Sequence, residues 1–286
     1  MKCALITAGG CGTRLYPLST KDCPKQFVKM FGEKTLIQLT YERINKFIDK
    51  ENIFIVLPEK YHHFINELLP EVEEQNIIIE PEQRSTAPCV LYSCLYIKKL
   101  RGNCTLGIFP ADHYIDGDEL FLNDLNDAFG YVEKNNKLVL FGIKPTEALD
   151  RYGYLKCNNS NKLITNIIEF KEKPDEETAK EYFNSNNYFW SSDISCFKVD
   201  YMLEQYKKYL PYDYDLLERA TLYDSNLYEA YSKCNKESTA CAIYEKLDTI
   251  KMIKCNFNWD DVGVFDSLLK YTDNQNVIDA YNNRDN

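Results

Sequence analysis

Over its first 145 residues the chain alternates between two hydrophobic periods, and that alternation constrains the fold more than any other feature. Short apolar runs at 2–8, 53–57, 77–79, 104–110 and 138–143 have the length and side-chain types of buried strands. Between them lie stretches with helical spacing: 35–48, where Ile37, Tyr41, Ile44 and Ile48 share one face, then 61–69, 86–100 and 119–133. The third begins at Ser85 or Thr86 as cap, with Pro88 in the tolerated first turn. Repeated strand–helix units predict an α/β fold with a mostly parallel sheet covered on both faces. Such sheets bind ligands beyond the carboxyl ends of their strands.

After Lys144 the pattern loosens. Residues 152–156 and 163–170 predict strands of a mixed or antiparallel part, 176–183 a helix, 188–199 a strand and 202–209 a helix. The stretch 212–236, rich in Tyr, Asp and Asn, is a weakly specified helical region. A strand at 250–255 and a closing helix at 262–271 follow, and the polar residues 274–286 are expected to fray. No repeat or linker interrupts the chain. We therefore expect one domain over 1–272, with a first half (1–145) and a second half (146–272), and a polar tail at 273–286.

Composition narrows the function. Lys plus Arg is 34 against 44 for Asp plus Glu, a net charge of -10, which argues against a general surface for nucleic acid. Any anionic ligand must be held by a few local cations or by backbone N–H groups. No apolar run approaches the roughly 20 residues of a membrane span, and the start is too short for a signal peptide. The 11 cysteines are scattered without a C-x-x-C, unlike a disulfide framework or a zinc site, and fit small apolar residues in a reducing cytoplasm.

The segment carrying most chemistry is Ala8-Gly9-Gly10-Cys11-Gly12-Thr13-Arg14-Leu15-Tyr16-Pro17-Leu18, directly after the first strand. Its glycines allow a tight turn and bring N–H groups close to a ligand, as a triphosphate requires. Arg14 could span two phosphate oxygens, and Lys25 adds a second cation. Taken alone, three glycines fit a plain turn with surface cations equally well. The pattern is neither a Walker loop nor a dinucleotide fingerprint.

In its ordered motifs the sequence resembles the sugar-1-phosphate nucleotidyltransferases, and within them the guanylyltransferases acting on mannose 1-phosphate. The motif segments are Gly9 to Ser19, Pro24-Lys25-Gln26-Phe27, Glu80-Pro81-Glu82-Gln83-Arg84-Ser85-Thr86-Ala87-Pro88 and Pro110-Ala111-Asp112-His113-Tyr114-Ile115. They continue with Tyr152-Gly153-Tyr154, Phe170-Lys171-Glu172-Lys173-Pro174 and Trp259-Asp260-Asp261-Val262-Gly263. The match runs from residue 3 to about 270. It implies a Rossmann-like nucleotidyltransferase fold with a sugar-binding lobe, residues 1–145 being the nucleotide-binding half and 146–272 the sugar-binding half with the closing helix. It also implies the use of Mg2+, GTP and a sugar 1-phosphate, with homodimerisation left open. Longer relatives carry a β-helical extension or a fused isomerase domain, and neither fits in the residues after Tyr271.

The resemblance also implies residue roles. Arg14, Lys25 and Asp112 are catalytic, and Asp112 and Asp261 hold the metal. Ala8, Gly9, Gly10, Gly12, Thr13, Glu80, Arg84, Thr86 and Ala87 bind the nucleotide. Gly153, Glu172, Lys173, Ser191 and Asp193 bind the sugar phosphate. A lone Asp after a strand is more often a cap, a lone Glu80 a solvated loop acid, and Glu172–Lys173 one charged pair among many; the surrounding motifs favour the functional readings. His113 reads as a structural hydrogen-bonder. The reaction implied is in-line attack of the sugar phosphate on the α-phosphorus of GTP, with pyrophosphate leaving. Alternatives are the same chemistry on another sugar phosphate, such as a manno-heptose 1-phosphate, or an inactive regulatory relative. The chain departs from the guanylyltransferase pattern at Ser191 (Asn in the family), Asp193 (Gly) and Ala240 (an acid), which predicts a changed sugar pocket.

Overall fold

A computed structural model describes residues 1–10, 12–158, 161–223 and 226–284. Cys11 in the glycine segment and the last two residues of the tail lie outside the described residues. The chain forms two compact units: one holds Ala4–Glu80, Phe109–Asp118 and Asn258–Asn286, the other Met1–Cys3, Pro81–Ile108 and Glu119–Phe257. Neither is a continuous stretch of chain, whereas the sequence reading divided it at residue 145.

In the first unit the strands ending at Thr7, Pro58 and Glu80 run parallel, in the order Ile77–Glu80, Ile53–Pro58, Lys2–Thr7. Their apolar side chains are buried on both faces, which explains the unbroken hydrophobic runs of the sequence. The helix Leu36–Asn45 starts in a capping box: Thr35 Oγ1 accepts from the Gln38 N–H, and Gln38 Oε1 accepts from the Thr35 N–H. Its expected face is confirmed, with Ile37, Tyr41 and Ile44 buried and Ile48 buried just beyond.

Two features here escaped the periodicity. Tyr114–Asp116 and Asn258–Asp260 pair antiparallel, with Trp259 opposite Ile115 and Asp260 opposite Tyr114. Each strand has three residues, too few for an alternation to show. The expected closing helix at 262–271 shrinks to Phe265–Leu268, because Val262 takes a left-handed conformation (φ 40°) that no helix accepts. The tail expected to fray instead forms the helix Gln275–Asn282, capped by the Asn274 side chain. It buries Val277 in a cluster with Leu15, Met30, Leu36, Val262, Phe265 and Leu268. Ala280 and Tyr281 pack against the same cluster, so a short apolar face and a cap dock a largely polar segment.

In the second unit the strand order is Thr105–Pro110, Tyr188–Lys198, Val139–Ile143, Ile250–Lys254, Ile164–Lys171, Tyr154–Cys157. The pairings are antiparallel apart from Ile250–Lys254 with Val139–Ile143, so the mixed part foreseen after Lys144 is present. Tyr154–Cys157 also pairs with Tyr188–Lys198, so these strands close on themselves. The helix Thr86–Arg101 begins as expected, but Ser85, at φ 67°, makes no side-chain cap bond. The Thr86 hydroxyl oxygen accepts instead from the Thr239 N–H, 2.9 Å away. The weakly specified stretch contains helices Pro211–Tyr223 and Leu227–Ser232. The described cysteines are unbridged and most are buried. Among the described residues no helix is long and apolar enough to cross a membrane.

Candidate active site

The glycine segment leaves the carboxyl end of Lys2–Thr7, with the Ala8 N–H still bonded to Val56 O. Glu80 ends a parallel strand on the same side, and the Ala111 N–H donates to Thr7 O, which places Asp112 there too. Gly12 has φ 58°, and a Cβ on it would stand 2.9 Å from the Lys25 backbone nitrogen. Only glycine lets the segment lie this close to Lys25.

Lys25 is the centre of the site. It is 5% exposed. Its ammonium lies 3.2 Å from Asp112 Oδ2 and donates to the backbone carbonyl of Asp261. The two motif acids, far apart in sequence, therefore converge on one buried cation. Burial alone would raise the Asp112 carboxyl; the Lys25 ammonium, with His113 adding, outweighs it and holds the group below the usual carboxylate range. Asp112 is thus ionised at neutral pH. Arg14 lies 3.7 Å from Asp261 Oδ2 but is 61% exposed, against 18% for the aspartate.

The Trp259-Asp260-Asp261-Val262-Gly263 segment separates its two acids. Asp260 is buried, and its Oδ1 accepts from the Val262 N–H at 2.7 Å and from the Ser267 hydroxyl, so it builds the turn. Asp261 accepts from the Gly263 N–H at 3.0 Å and turns its other oxygen toward Arg14. A Cβ at Gly263 would stand 2.7 Å from Arg14 Nη2 and 2.9 Å from Asp261 Oδ2. Burial holds His113 below its usual range, and its Nδ1 accepts from Trp259 Nε1 at 3.0 Å. It is the structural hydrogen-bonder the sequence predicted, locking the two short strands together.

Asp112 and Asp261 offer carboxylate oxygens of the kind a hard divalent cation takes, and two such ligands would leave the remaining positions to phosphate and water. Gly10 keeps the approach to Asp112 Oδ2 open, 3.6 Å from where its Cβ would be. Among the described residues no cluster of three acids, histidines or cysteines could hold an ion.

Glu80 is buried, with Oε2 3.5 Å from the Cβ position of Gly9. The other base-site candidates fall in the second unit. Arg84 donates to Cys234 O at 2.9 Å and to Glu82, and the Ala87 N–H donates to Glu237 O at 3.0 Å. With the Thr86–Thr239 bond, these tie residues 84–87 to 234–239.

The sugar-site candidates also gather in the second unit. The Ser191 N–H donates to Gly153 O at 2.8 Å, and a Cβ at Gly153 would stand 2.9 Å from Glu172 Oε2. Glu172 pairs with Lys173 at 2.8 Å. Asp193 sits exposed in a bulge, where the register against Val139–Ile143 jumps between Ser191 and Ser195. Burial raises the neighbouring Tyr244 phenol, the Asp193 carboxylate adds to it, and the phenol donates to Ser195 Oγ. The described non-glycine residues with left-handed backbone are Ser85, Asn136, Lys173, Asp193 and Val262. All but Asn136 lie in segments the sequence singled out, the pattern of strain kept at working sites.

The nucleotidyl transferase family model matches residues 3–276. A mannose-1-phosphate guanylyltransferase of Salmonella montevideo is 34% identical over 285 residues, 94% of this chain and 59% of that protein. The alginate biosynthesis protein AlgA of Pseudomonas fluorescens is 35% identical over 94% of this chain and 58% of its own length. The chain thus spans under two thirds of these curated relatives. A Thermus thermophilus structure described as a mannose-1-phosphate geranyltransferase superposes with a TM-score of 0.84 at 30% identity, covering 92% of this chain and 76% of that one. A putative glucose-1-phosphate thymidylyltransferase of Bacillus anthracis, 17% identical with a TM-score of 0.63, shares the fold. The match over nearly the whole length, with the acids and cations of the motifs assembled around Lys25, shows that the chain belongs to the nucleotidyl transferase family.

Proposed function

We propose that the protein transfers the guanylyl group of GTP to mannose 1-phosphate, giving GDP-mannose and pyrophosphate. The observation that carries this is the buried Lys25 ammonium, held between the Asp112 carboxylate and the Asp261 backbone beside the glycine segment. Relatives with that printed activity support the choice of substrates.

The phosphate nucleophile is already ionised at neutral pH, so no general base is needed. The chain's work is to align two polyanions and to stabilise charge developing on the transferred phosphoryl group. Lys25, fixed on two sides, is a preorganised point charge for that position. Arg14, exposed and loosely paired, is free to swing onto the triphosphate. Mg2+ held by Asp112 and Asp261 would supply further neutralisation of the α- and β-phosphates. In this reading Glu80, beside Gly9, accepts from the donor edge of guanine; Arg84, Thr86 and Ala87 remain nucleotide-binding candidates on the grounds of their motif. Gly153, Glu172, Lys173, Ser191 and Asp193 form the sugar-phosphate site: Glu172 accepts from ring hydroxyls and Lys173 meets the phosphate. The setting we propose is the cytoplasm, with self-association into a homodimer left to measurement.

A second reading, the same transfer to another sugar phosphate such as a manno-heptose 1-phosphate, is favoured by Asp193 in its exposed left-handed bulge. One assay tests both: pyrophosphate release with each of GTP, ATP, UTP and dTTP against mannose, glucose and manno-heptose 1-phosphates. The proposal expects the highest kcat/KM for GTP with mannose 1-phosphate. A higher value for another sugar selects the second reading, and no release with any pair selects an inactive regulatory relative.

A further inference from the structure

Three carbonyl groups of the glycine segment are tied down by two uncharged, buried side chains. Gln26 Nε2 donates to Ala8 O at 2.9 Å and to Gly10 O at 3.0 Å. The Ser19 hydroxyl donates to Gly12 O. Gln26 is 1% exposed and Ser19 0%. Both lie in motif segments, yet neither has a part in the mechanism above.

The other half of the Gln26 carboxamide is informative. Its Oε1 is buried and has no hydrogen-bond partner among the described residues. A half-satisfied buried amide is costly, and an apolar side chain of similar size would avoid the cost. What justifies glutamine is therefore its donor half, spent entirely on the two loop carbonyls. A peptide segment meets a ligand with C=O or N–H dipoles; a polyanion is repelled by the first and bound by the second. Drawing the carbonyls of residues 8, 10 and 12 onto interior donors removes three partial negative charges from the face a polyphosphate approaches. The short helical turn Lys25–Phe27 sends the Lys25 ammonium to Asp112 and, one residue on, the Gln26 amide to the loop. One turn thus sets the cation and the donor face together.

We infer that Gln26 and Ser19 are positioning residues that clamp the carbonyls of residues 8, 10 and 12 of the glycine segment, so that these three dipoles are turned away from a nucleoside triphosphate. The inference rests on the nucleotide reading of that segment. The variants are Gln26→Met, which keeps size but loses the donor, Gln26→Glu, which keeps shape but puts an acceptor against two carbonyls, Ser19→Ala, and Ser19→Thr as the conservative restoration. GTP affinity is measured with Mg2+ and no sugar phosphate, so that no turnover is involved, alongside KM, kcat, melting temperature and hydrogen exchange at the amides of Gly9, Gly10, Gly12 and Thr13. In Gln26→Met the GTP Kd and KM rise at least tenfold, sugar-phosphate KM stays within twofold, kcat at saturating GTP stays within threefold, and exchange quickens. Gln26→Glu is worse, Ser19→Ala loses about fivefold, and Ser19→Thr returns to within twofold of wild type. Unchanged GTP affinity in folded Gln26→Met, or equal loss toward the sugar phosphate, overturns the clamp. Should Gln26→Met not fold, the Ser19 pair decides by the same criteria. If wild-type protein binds no nucleoside triphosphate, the functional reading has failed by itself. The clamp is then judged on exchange: quickened in the variants at unchanged melting temperature supports it, unchanged overturns it.

Discussion

The charges of the nucleotide side and those of the sugar side are held in opposite ways. In the first unit Lys25 is buried and fixed by two partners, Asp112 is ionised against it, and Asp261 is set by its own turn. In the second unit Glu172 and Lys173 pair with each other in the open, with side chains 41% and 65% exposed. A buried pair is expensive to form and expensive to break, so its geometry is fixed before substrate arrives. An exposed pair is worth about 0–1 kcal/mol and gives way to a ligand. Phosphoryl chemistry is common to every substrate this family could take, whereas the sugar varies. On the function proposed above, the rigid set would carry the first and the adjustable set the second.

The largest test of this contrast is the pair of acids. Asp112→Asn and Asp261→Asn should each lower turnover by at least 100-fold, about 3 kcal/mol of transition-state stabilisation. They should differ in stability. Asp112→Asn strips a buried ammonium of its counter-charge and should cost roughly 2 kcal/mol in denaturant unfolding, discounted from the full buried-pair range because Asp112 is partly exposed. Asp261→Asn leaves the backbone carbonyl that Lys25 uses and should unfold near wild type. Near wild-type turnover in both at saturating Mg2+ would remove them from the mechanism.

Next come the cations. Lys25→Ala should lose turnover by about 100-fold and also lose stability, and Arg14→Ala should lose about tenfold with an unchanged melting temperature, because its pair is exposed. Both should depress kcat more than they weaken sugar-phosphate binding. A higher nucleotide KM at full kcat would demote them to binding residues.

The glycines give a smaller and cleaner contrast. Gly12→Ala meets the Lys25 backbone at 2.9 Å in a left-handed conformation and should cost about 1–3 kcal/mol of stability along with nucleotide affinity. Gly153→Ala meets the end of the flexible Glu172 side chain closely and the Phe170 ring at about contact distance, so it should raise sugar-phosphate KM several-fold while the unfolding midpoint holds. Equal stability losses in the two would contradict the rigid–adjustable division.

The smallest effect on stability is expected at Asp193. Asp193→Gly relieves a left-handed residue but frees the unfolded chain, so the net change should lie within about 1 kcal/mol. Its effect on choice should exceed that on stability: with Ser191→Asn it should move the kcat/KM ratio toward mannose 1-phosphate and away from glucose and manno-heptose 1-phosphates. A strong native preference for mannose, unchanged in the double variant, leaves Asp193 facing solvent without a role.

Much of this was legible before any coordinates. The parallel strands, the face of the helix Leu36–Asn45 and the mixed strands after Lys144 follow from periodicity, a local property of neighbouring residues. The candidate acids and cations were found through motifs, and the structure brings Arg14, Lys25, Asp112 and Asp261 together. The tail helix escaped because Val277, Ala280 and Tyr281 make a short apolar face, and most of the cluster it docks on is far away in sequence.

Residue identity and spacing alone determined that the chain alternates strand and helix, that glycines follow the first strand, and that a chain of net charge -10 must bind anions through a few chosen cations. Tertiary structure decided which of two adjacent acids is available, since Asp260 is consumed by Val262 and Ser267 and Asp261 is not. It decided that the motifs at 112 and 261 meet, through a three-residue pairing too short to leave a pattern. It also decided that Ser19 and Gln26 serve the glycine segment. A hydrogen bond depends on where a donor lies within about 3 Å of an acceptor, and between residues remote in the chain only the folded backbone sets that distance.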